Sequence, residues 1–249
     1  MMFQGHDLAR RTALAAQAGF RGVEVLFPYV ELEAPAFRQV LQAHDLEPVL
    51  INAAAGEWTA AERGIGALPD RQAEFAQAFE RALTYADAIG CKRIHVMAGL
   101  VPEGADRGPF WQVFCENLHQ AAARAAPFGI TILIEPLNTS IDMPRYLLHS
   151  SQDALRVIQE VAAPNLALQY DVYHMHIMED GAQPKALARL LPFIGHIQLA
   201  DHPGRHEPGT GEIAFDRLLA ALERSSYGGW VGCEYREKQG LDWAKPWLA

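Results

Sequence analysis

The strongest constraint on the fold is a repeat of short apolar runs, each followed by an amphipathic stretch with helical spacing. Seven runs predict β-strands, at residues 22–27, 48–52, 93–97, 131–135, 166–171, 194–199 and 230–234. Several are apolar almost throughout, which is typical of parallel strands that are covered on both faces. The repeat therefore predicts a parallel sheet made of consecutive β-α units.

The stretches between the strands carry apolar residues at i, i+3 and i+4, as amphipathic helices do. They lie at residues 8–18, 34–43, 71–89, 111–126, 152–161, 184–191 and 215–223. Such units form either an eight-stranded barrel or a doubly wound sheet. No GxGxxG motif follows the first strand, and no segment separates as a second domain, so a barrel is favoured. We predict one α/β barrel domain of the TIM type over residues 1–249.

Net charge, apolar runs and cysteine content indicate which partners and which cellular location to expect. The net charge of −9 argues against a nucleic-acid partner, because such binding rests largely on Lys and Arg. No apolar run is long enough to predict a membrane span. The three cysteines form no CxxC pair, and the amino terminus has no apolar signal core, so we expect a cytoplasmic protein. The expected ligand is a small molecule, and a homo-oligomer is left open.

Four metal-compatible side chains lie at or near the ends of predicted strands: Glu135, Asp171, Gln198 and Glu234. The carboxyl ends of barrel strands meet at one face, where active sites are built. Three carboxylates in such a space would repel one another unless a cation lay between them. An all-oxygen ligand set suits Mg²⁺ or Mn²⁺ better than zinc. The competing interpretation is that some of them are helix N-caps or surface groups at strand ends: Glu135 could cap a helix, and Asp171 could open a turn.

Five motifs resemble the hydroxypyruvate isomerase family, which belongs to the xylose-isomerase-like barrels and includes 2-oxo-tetronate isomerases. They are AAGEWTAAERGI (54–65), IEPLN (134–138), QYDVYHM (169–175), HIQLADHPGRHEPGTGEI (196–213) and GWVGCEY (229–235). The resemblance implies a metal-dependent isomerase that interconverts a 2-oxo-3-hydroxy acid and its 2-hydroxy-3-oxo isomer through an enediolate. It implies Glu135 and Glu234 as proton donor and acceptor, and the four residues above as metal ligands.

Three further residues are candidates for substrate binding. Arg205 is suited to hold a substrate carboxylate in a bidentate pair, and His174 to form a hydrogen bond with a substrate oxygen. Asn52 ends the second predicted strand and is a possible lining residue of the site. The competing interpretations are a solvated loop arginine, a loop histidine and a turn-forming asparagine.

Other activities of similar barrels remain as alternatives. A ketose 3-epimerase usually has a histidine in place of Gln198, and a multi-zinc endonuclease would need more histidine ligands and a basic surface. Relatives usually carry a complete first strand before the segment that matches residues 1–5. We therefore expect the first strand to be missing or truncated, and a catalytically impaired remnant is the third alternative.

Overall fold

The computed structural model describes residues 1–53, 55–179 and 184–248. Ala54, which opens the motif at 54–65, lies outside these residues. The described residues contain seven strands: β1 (Gly22–Val25), β2 (Glu47–Ala53), β3 (Arg93–Val96), β4 (Thr131–Ile134), β5 (Leu166–Asp171), β6 (Ile194–Leu199) and β7 (Val231–Cys233). Each strand pairs in parallel with the next strand along the chain. The seven predicted strands and the parallel α/β barrel of the TIM type are confirmed.

Helices connect the strands on the outside. They are α1 (Leu8–Gln17), α2 (Ala34–Ala43), α3 (Gln72–Ile89), α4 (Arg107–Ala125), α5 (Ser151–Val161), α6 (Val172–Met178), α7 (Pro184–Leu190) and α8 (Phe215–Glu223). Short 3-10 helices occupy Pro28–Val30, Trp58–Ala60, Pro69–Arg71, Ala126–Phe128, Leu191–Phe193 and Asp242–Trp247. Asp7 and Ser150 begin α1 and α5, because each side chain accepts a hydrogen bond from the backbone N–H three residues later.

The main hydrophobic core lies between the strands and the helices. Ile94 and Ile132 on the strands are fully buried, as are Phe37 on α2 and Phe114 on α4. This layer explains why the predicted helices carry their apolar residues at helical spacing, since only one face of each meets the sheet. Among the described helices, none is both long enough and apolar enough to cross a membrane.

Helix α6 was not predicted from the sequence. It begins directly after β5, with Asp171 as its N-cap, and the Asp171 Oδ1 atom accepts a hydrogen bond from the backbone N–H of Tyr173 at 2.8 Å. No turn residue separates the strand from the helix, so the sequence gives no signal where the spacing of apolar residues changes from that of a strand to that of a helix. Asp171 therefore does cap a helix, and its second carboxylate oxygen remains for the site.

The barrel is open along one side, between β1 and β7. Among the described residues these two strands are not paired, and no strand precedes α1. We call this opening the seam. A cavity of about 630 Å³ occupies the seam and reaches the barrel interior. The first strand is expected to be missing or truncated, and the described residues indeed contain no strand before α1.

Candidate active site

The predicted site residues lie at the carboxyl ends of the strands. Glu135 directly follows β4, Asp171 ends β5, Gln198 lies near the end of β6, and Glu234 directly follows β7. Asp171 and Gln198 are partners in the register between β5 and β6. Because parallel strands end on one side of the barrel, four side chains that are distant in sequence share one end of it.

Part of the predicted ligand set forms a compact buried group. Glu135, Asp171 and His174 each offer an atom that lies within 4.8 Å of the atoms of the other two, and all three residues are buried. Two of them were predicted as metal ligands, whereas His174 was assigned to substrate. This group could hold a metal ion through all three residues only if the His174 nitrogen carries a free lone pair.

Arg205 lies between two of the predicted carboxylate ligands. Its Nη2 atom is 3.1 Å from Asp171 Oδ2 and 2.7 Å from Glu234 Oε2. The guanidinium also lies over the ring of Tyr173, at 5.1 Å from the ring centre. Burial alone lowers the pKa of Arg205, but the surrounding carboxylates Glu234 and Asp171 raise it overall, so the group stays charged. Arg205 therefore compensates the buried negative charge.

Burial and mutual repulsion dominate the electrostatics of the acidic residues. Burial, followed by the carboxylates of Glu234 and Asp171, raises the pKa of Glu135 well above its ordinary value. Burial also raises the pKa of Asp171 to about 7, although Arg205 opposes this shift. Asp171 can therefore change its protonation state near neutral pH, and Glu135 holds its proton more tightly than an exposed glutamate does.

Glu135 is held by one of its two carboxylate oxygens. The Nε2 atom of Gln169 donates a hydrogen bond to Oε2 at 2.9 Å, and the Nδ1 atom of His95 lies 3.6 Å from the same oxygen. The other oxygen, Oε1, is buried and has no hydrogen-bond partner among the described residues. A buried acceptor without a partner is costly, so Oε1 is available for a cation or a proton.

His174 is fixed in one tautomer. The backbone N–H of Asn138 lies 3.2 Å from Nδ1, and the side-chain Nδ2 of Asn138 lies 2.8 Å from it. The Asn138 amide cannot be reversed without loss, because its Oδ1 accepts hydrogen bonds from the backbone N–H groups of Ile141 and Asp142. Burial, followed by Arg205, lowers the pKa of His174 well below its ordinary value, so the ring is neutral. With Nδ1 as an acceptor, the proton resides on Nε2.

In this tautomer His174 cannot act as a metal ligand through Nε2. Its Nε2 atom lies 3.6 Å from Asp171 Oδ2 and carries the ring proton, so it can donate a hydrogen bond but offers no lone pair. The donors for a cation are then oxygen atoms, including the unpartnered Oε1 of Glu135. Carboxylate and amide oxygens are the ligands that Mg²⁺ and Mn²⁺ prefer, so the residues present fit such an ion.

Asn52 lies on β2 and is buried. It lines the same cavity as Glu135, Gln198 and Glu234, which places it beside the site. Its backbone carbonyl accepts a hydrogen bond from the hydroxyl of Tyr29 at 2.9 Å, and its backbone N–H donates to the carbonyl of Leu26 at 2.8 Å. The backbone of Asn52 is thus held by the segment after β1.

Three residues of the site were missed by the sequence analysis: Glu24, Gln169 and Asn138. Gln169 lies two residues before Asp171 on one strand and therefore shares its face, a signal that strand periodicity offers. Glu24 is a carboxylate within the apolar run of β1, which is itself unusual. Asn138 gave no such signal, because its role depends on the fold of the loop that follows Glu135.

Glu24 reaches from β1 to β6. Its Oε1 atom lies 2.7 Å from His196 Nε2, and its Oε2 atom accepts a hydrogen bond from Gln198 Nε2 at 2.8 Å. Burial raises the pKa of Glu24, but the pairing with His196 and Gln198 outweighs burial, so the pKa lies below its ordinary value. Glu24 is therefore an ionised acceptor next to a predicted ligand.

Comparison with known proteins finds relatives that match nearly the whole chain. The family of xylose isomerase-like TIM barrels matches residues 12–249 of the chain, a range that contains every residue of the site. A 2-oxo-tetronate isomerase from Cupriavidus necator is 48% identical over 100% of this chain and 96% of its own length. A hydroxypyruvate isomerase from Escherichia coli is 41% identical over 99% of this chain and 96% of its own length.

The same extent of similarity holds in three dimensions. The crystal structure of an AP endonuclease, family 2, from Brucella melitensis has a TM-score of 0.94 against this chain. It is 41% identical, and the match covers 99% of this chain and 95% of that one. The likeness therefore extends over both the strands and the loops that carry the site.

Proposed function

The chain belongs to the family of xylose isomerase-like TIM barrels, and we propose that it is an isomerase of small hydroxy-oxo acids. The reaction interconverts a 2-oxo-3-hydroxy acid and its 2-hydroxy-3-oxo isomer, such as hydroxypyruvate and tartronate semialdehyde or their four-carbon analogues. Relatives named for both substrate classes support this proposal. The observation that carries it is the pair of carboxylates, Glu135 and Glu234, at the carboxyl ends of β4 and β7.

The reaction moves a proton between two adjacent carbon atoms through an enediolate. One carboxylate removes the proton from carbon, and a second carboxylate returns a proton to the neighbouring carbon. Glu135 and Glu234 approach from different walls of the barrel, because β5 and β6 lie between their strands. The raised pKa of Glu135, caused first by its burial, suits a group that must hold a proton and then release it.

A divalent cation completes the proposed site. Glu135, Asp171, Gln198 and Glu234 would hold Mg²⁺ or Mn²⁺, which when bound supplies a Lewis acid for the substrate oxygens. The unpartnered Oε1 of Glu135 supports this assignment. Asp171 contributes charge, while its Oδ1 stays engaged with the backbone of α6.

Arg205 and His174 bind the substrate in this proposal. The Nε atom of Arg205 is buried without a hydrogen-bond partner among the described residues, so it retains capacity for a substrate carboxylate. His174 donates its Nε2 proton to a substrate oxygen as a neutral ring. Asn52, which lines the same cavity as Glu135 and Glu234, provides a neutral polar contact for the substrate.

Proton exchange at carbon tests the proposal. The purified protein with Mn²⁺ or Mg²⁺ is incubated with three- and four-carbon substrates in deuterated water, and the reaction is followed by NMR. We expect interconversion with deuterium incorporated at the exchanging carbon, and the relative rates identify the substrate. Interconversion without any solvent deuterium would favour a hydride shift, and the absence of interconversion with either substrate would contradict the proposal.

An endonuclease is the competing activity, because the similar structure from Brucella melitensis carries that name. The net charge of −9 opposes binding to a polyanion. The oxygen-rich ligand set also differs from the histidine-rich sets that suit several zinc ions. Cleavage of a duplex that contains an AP site, at a rate that exceeds isomerisation, would reverse this preference.

A further inference from the structure

Glu24 lies at the seam, outside the four predicted ligands. It belongs to β1, one of the two unpaired edges, and its carboxylate crosses the barrel interior to β6. There it contacts His196 at 2.7 Å and Gln198 at 2.8 Å. These contacts join residues that are 172 and 174 positions apart in the chain. A carboxylate at this place has no part in the proton transfer proposed above.

The contact with Glu24 determines which way the Gln198 amide points. A carboxylate only accepts hydrogen bonds, so the Nε2 end of the amide must face Glu24. The carbonyl oxygen, Oε1, then faces away from Glu24, where it accepts a hydrogen bond from Gln169 Nε2 at 2.6 Å. Only the oxygen end of an amide can coordinate a cation, so the orientation decides whether Gln198 can be a ligand.

The same polarity continues to Glu135. The Nε2 atom of Gln169 donates both to Gln198 Oε1 and to Glu135 Oε2, the latter at 2.9 Å. The hydrogen bonds from Gln198 to Glu24, from Gln169 to Gln198 and from Gln169 to Glu135 therefore each have a defined donor and acceptor. The carboxylate of Glu24, which can only accept, fixes these directions. Reversal of the Gln198 amide would place two nitrogen donors, or two oxygen acceptors, against each other at its neighbours.

The neighbouring strand makes room for this carboxylate. Gly232 on β7 is the register partner of Gln198, and a side-chain carbon at position 232 would overlap the carboxylate of Glu24. Glu24 thus occupies a place that only a glycine on β7 leaves free. By contrast, a side-chain carbon at Gly228 would meet nothing within 4 Å.

We propose that Glu24 is a positioning residue that orients the amide of Gln198 so that its oxygen faces the cation site. This inference rests on the proposed function, because it takes Gln198 to be a ligand. In the alternative, Glu24 merely ties the two edges of the seam together. Such a purely structural link would affect folding stability, but its effect on metal binding would not depend on the orientation of the Gln198 amide.

Metal affinity measured by isothermal titration with Mn²⁺ tests the inference. Replacement of a residue that orients a metal ligand typically weakens the metal affinity by about 10–100-fold, and we expect this for Glu24→Gln. Glu47→Gln is the matched control, since Glu47 is also a carboxylate at the seam and accepts a hydrogen bond from Trp230 Nε1 at 3.2 Å. The control should bind Mn²⁺ like the wild type.

A double-mutant cycle separates orientation from a structural tie. If Glu24 acts through Gln198, then Glu24→Gln should have almost no further effect on Mn²⁺ affinity in a Gln198→Ala background. Additive losses in the double variant would overturn the inference. If Glu24→Gln does not fold, Gly232→Ala displaces the same carboxylate and is compared with Gly228→Ala; equal affinities of these two variants would also overturn it.

A second readout does not depend on metal. In the metal-free protein, the side-chain amide of Gln198 should show slow hydrogen exchange by ¹⁵N NMR, and Glu24→Gln should accelerate it. Unchanged exchange would overturn the inference while leaving the isomerase proposal intact. If the wild type binds no Mn²⁺, the ligand assignment and the inference both fail, whereas isomerase activity without metal would preserve the remainder of the proposed function.

Discussion

Two N–H groups of Asn138 converge on the Nδ1 atom of His174, from the backbone at 3.2 Å and from the side chain at 2.8 Å. This arrangement leaves the ring proton on Nε2, the atom nearest to Asp171. The loop after β4 therefore determines the chemistry that a histidine on α6 can perform. His174 is a hydrogen-bond donor in the site and not a base.

Asn138→Asp tests this relationship. The new carboxylate keeps one oxygen for the backbone N–H groups of Ile141 and Asp142 but puts an acceptor in place of the side-chain donor at Nδ1. Only the longer contact with the backbone N–H of residue 138, at 3.2 Å, then opposes a proton on Nδ1, so the ring proton should move toward Nδ1. We expect the ¹⁵N shifts of His174 to report the other tautomer. A lost hydrogen bond to a charged intermediate is worth about 1.5–3 kcal/mol, so kcat/KM should fall by about 10–100-fold.

Asn165→Asp is the control for this change. Asn165 also donates through Nδ2 to backbone carbonyls, but these belong to Ala122 and Ile130, away from the site. This variant should lose stability and leave the His174 signals unchanged. An unaltered tautomer in Asn138→Asp would disprove the assigned role of Asn138.

Glu135→Gln and Glu234→Gln should each remove isomerisation while the protein stays folded. Positioned acid-base groups contribute about 10²–10⁴-fold each, so we expect losses of at least this size. Because burial already raises the pKa of Glu135, a neutral amide there should not lower the melting temperature. Glu80→Gln, which alters an exposed pair with Arg124, serves as the control. Activity within tenfold of the wild type in either site variant would contradict the assignment.

Stability of the metal-free protein should fall as the pH rises. In the unfolded chain an aspartate ionises near its ordinary value of 3.8, whereas burial raises the pKa of Asp171 in the fold to about 7. Between these values the folded protein retains a proton that the unfolded chain has released, so raising the pH favours unfolding. Urea unfolding from about pH 4 to about pH 8 measures this slope.

Asp171→Asn should flatten the pH dependence, because the amide does not titrate. Saturating Mn²⁺ should stabilise the wild type most at the upper end of the range, where the carboxylates are ionised and the cation compensates their charge. A variant with the same slope as the wild type would show that other groups control the pH dependence.

Arg205→Ala should destabilise the metal-free protein strongly. Its removal leaves Asp171 and Glu234 without the cation that lies 3.1 and 2.7 Å from them. Loss of one partner of a buried ion pair costs about 3–5 kcal/mol, measured by chemical unfolding. Mn²⁺ should restore part of the stability, and the KM for the acid substrate should still rise. Arg124→Ala, at an exposed pair, should change neither quantity appreciably.

The strands and the residues at their ends were predictable from local patterns. The run TILIE placed Glu135 at the end of β4, and LALQYD placed Asp171 at the end of β5, because apolar continuity marks a buried parallel strand. The shared position of the proposed ligands then follows from the geometry of parallel barrels. Helix α6 escaped prediction, since Asp171 ends a strand and caps a helix at once.

The sequence by itself determined the repeat of strands and helices and the set of acidic and amide side chains, because periodicity and residue chemistry are local properties. Only the tertiary structure decided that Arg205 lies between Asp171 and Glu234, and that Glu24 reaches Gln198 across 174 positions of the chain. Such contacts depend on strand register and on the closure of the barrel. The direction of a hydrogen bond is likewise a property of two partners and not of either residue alone.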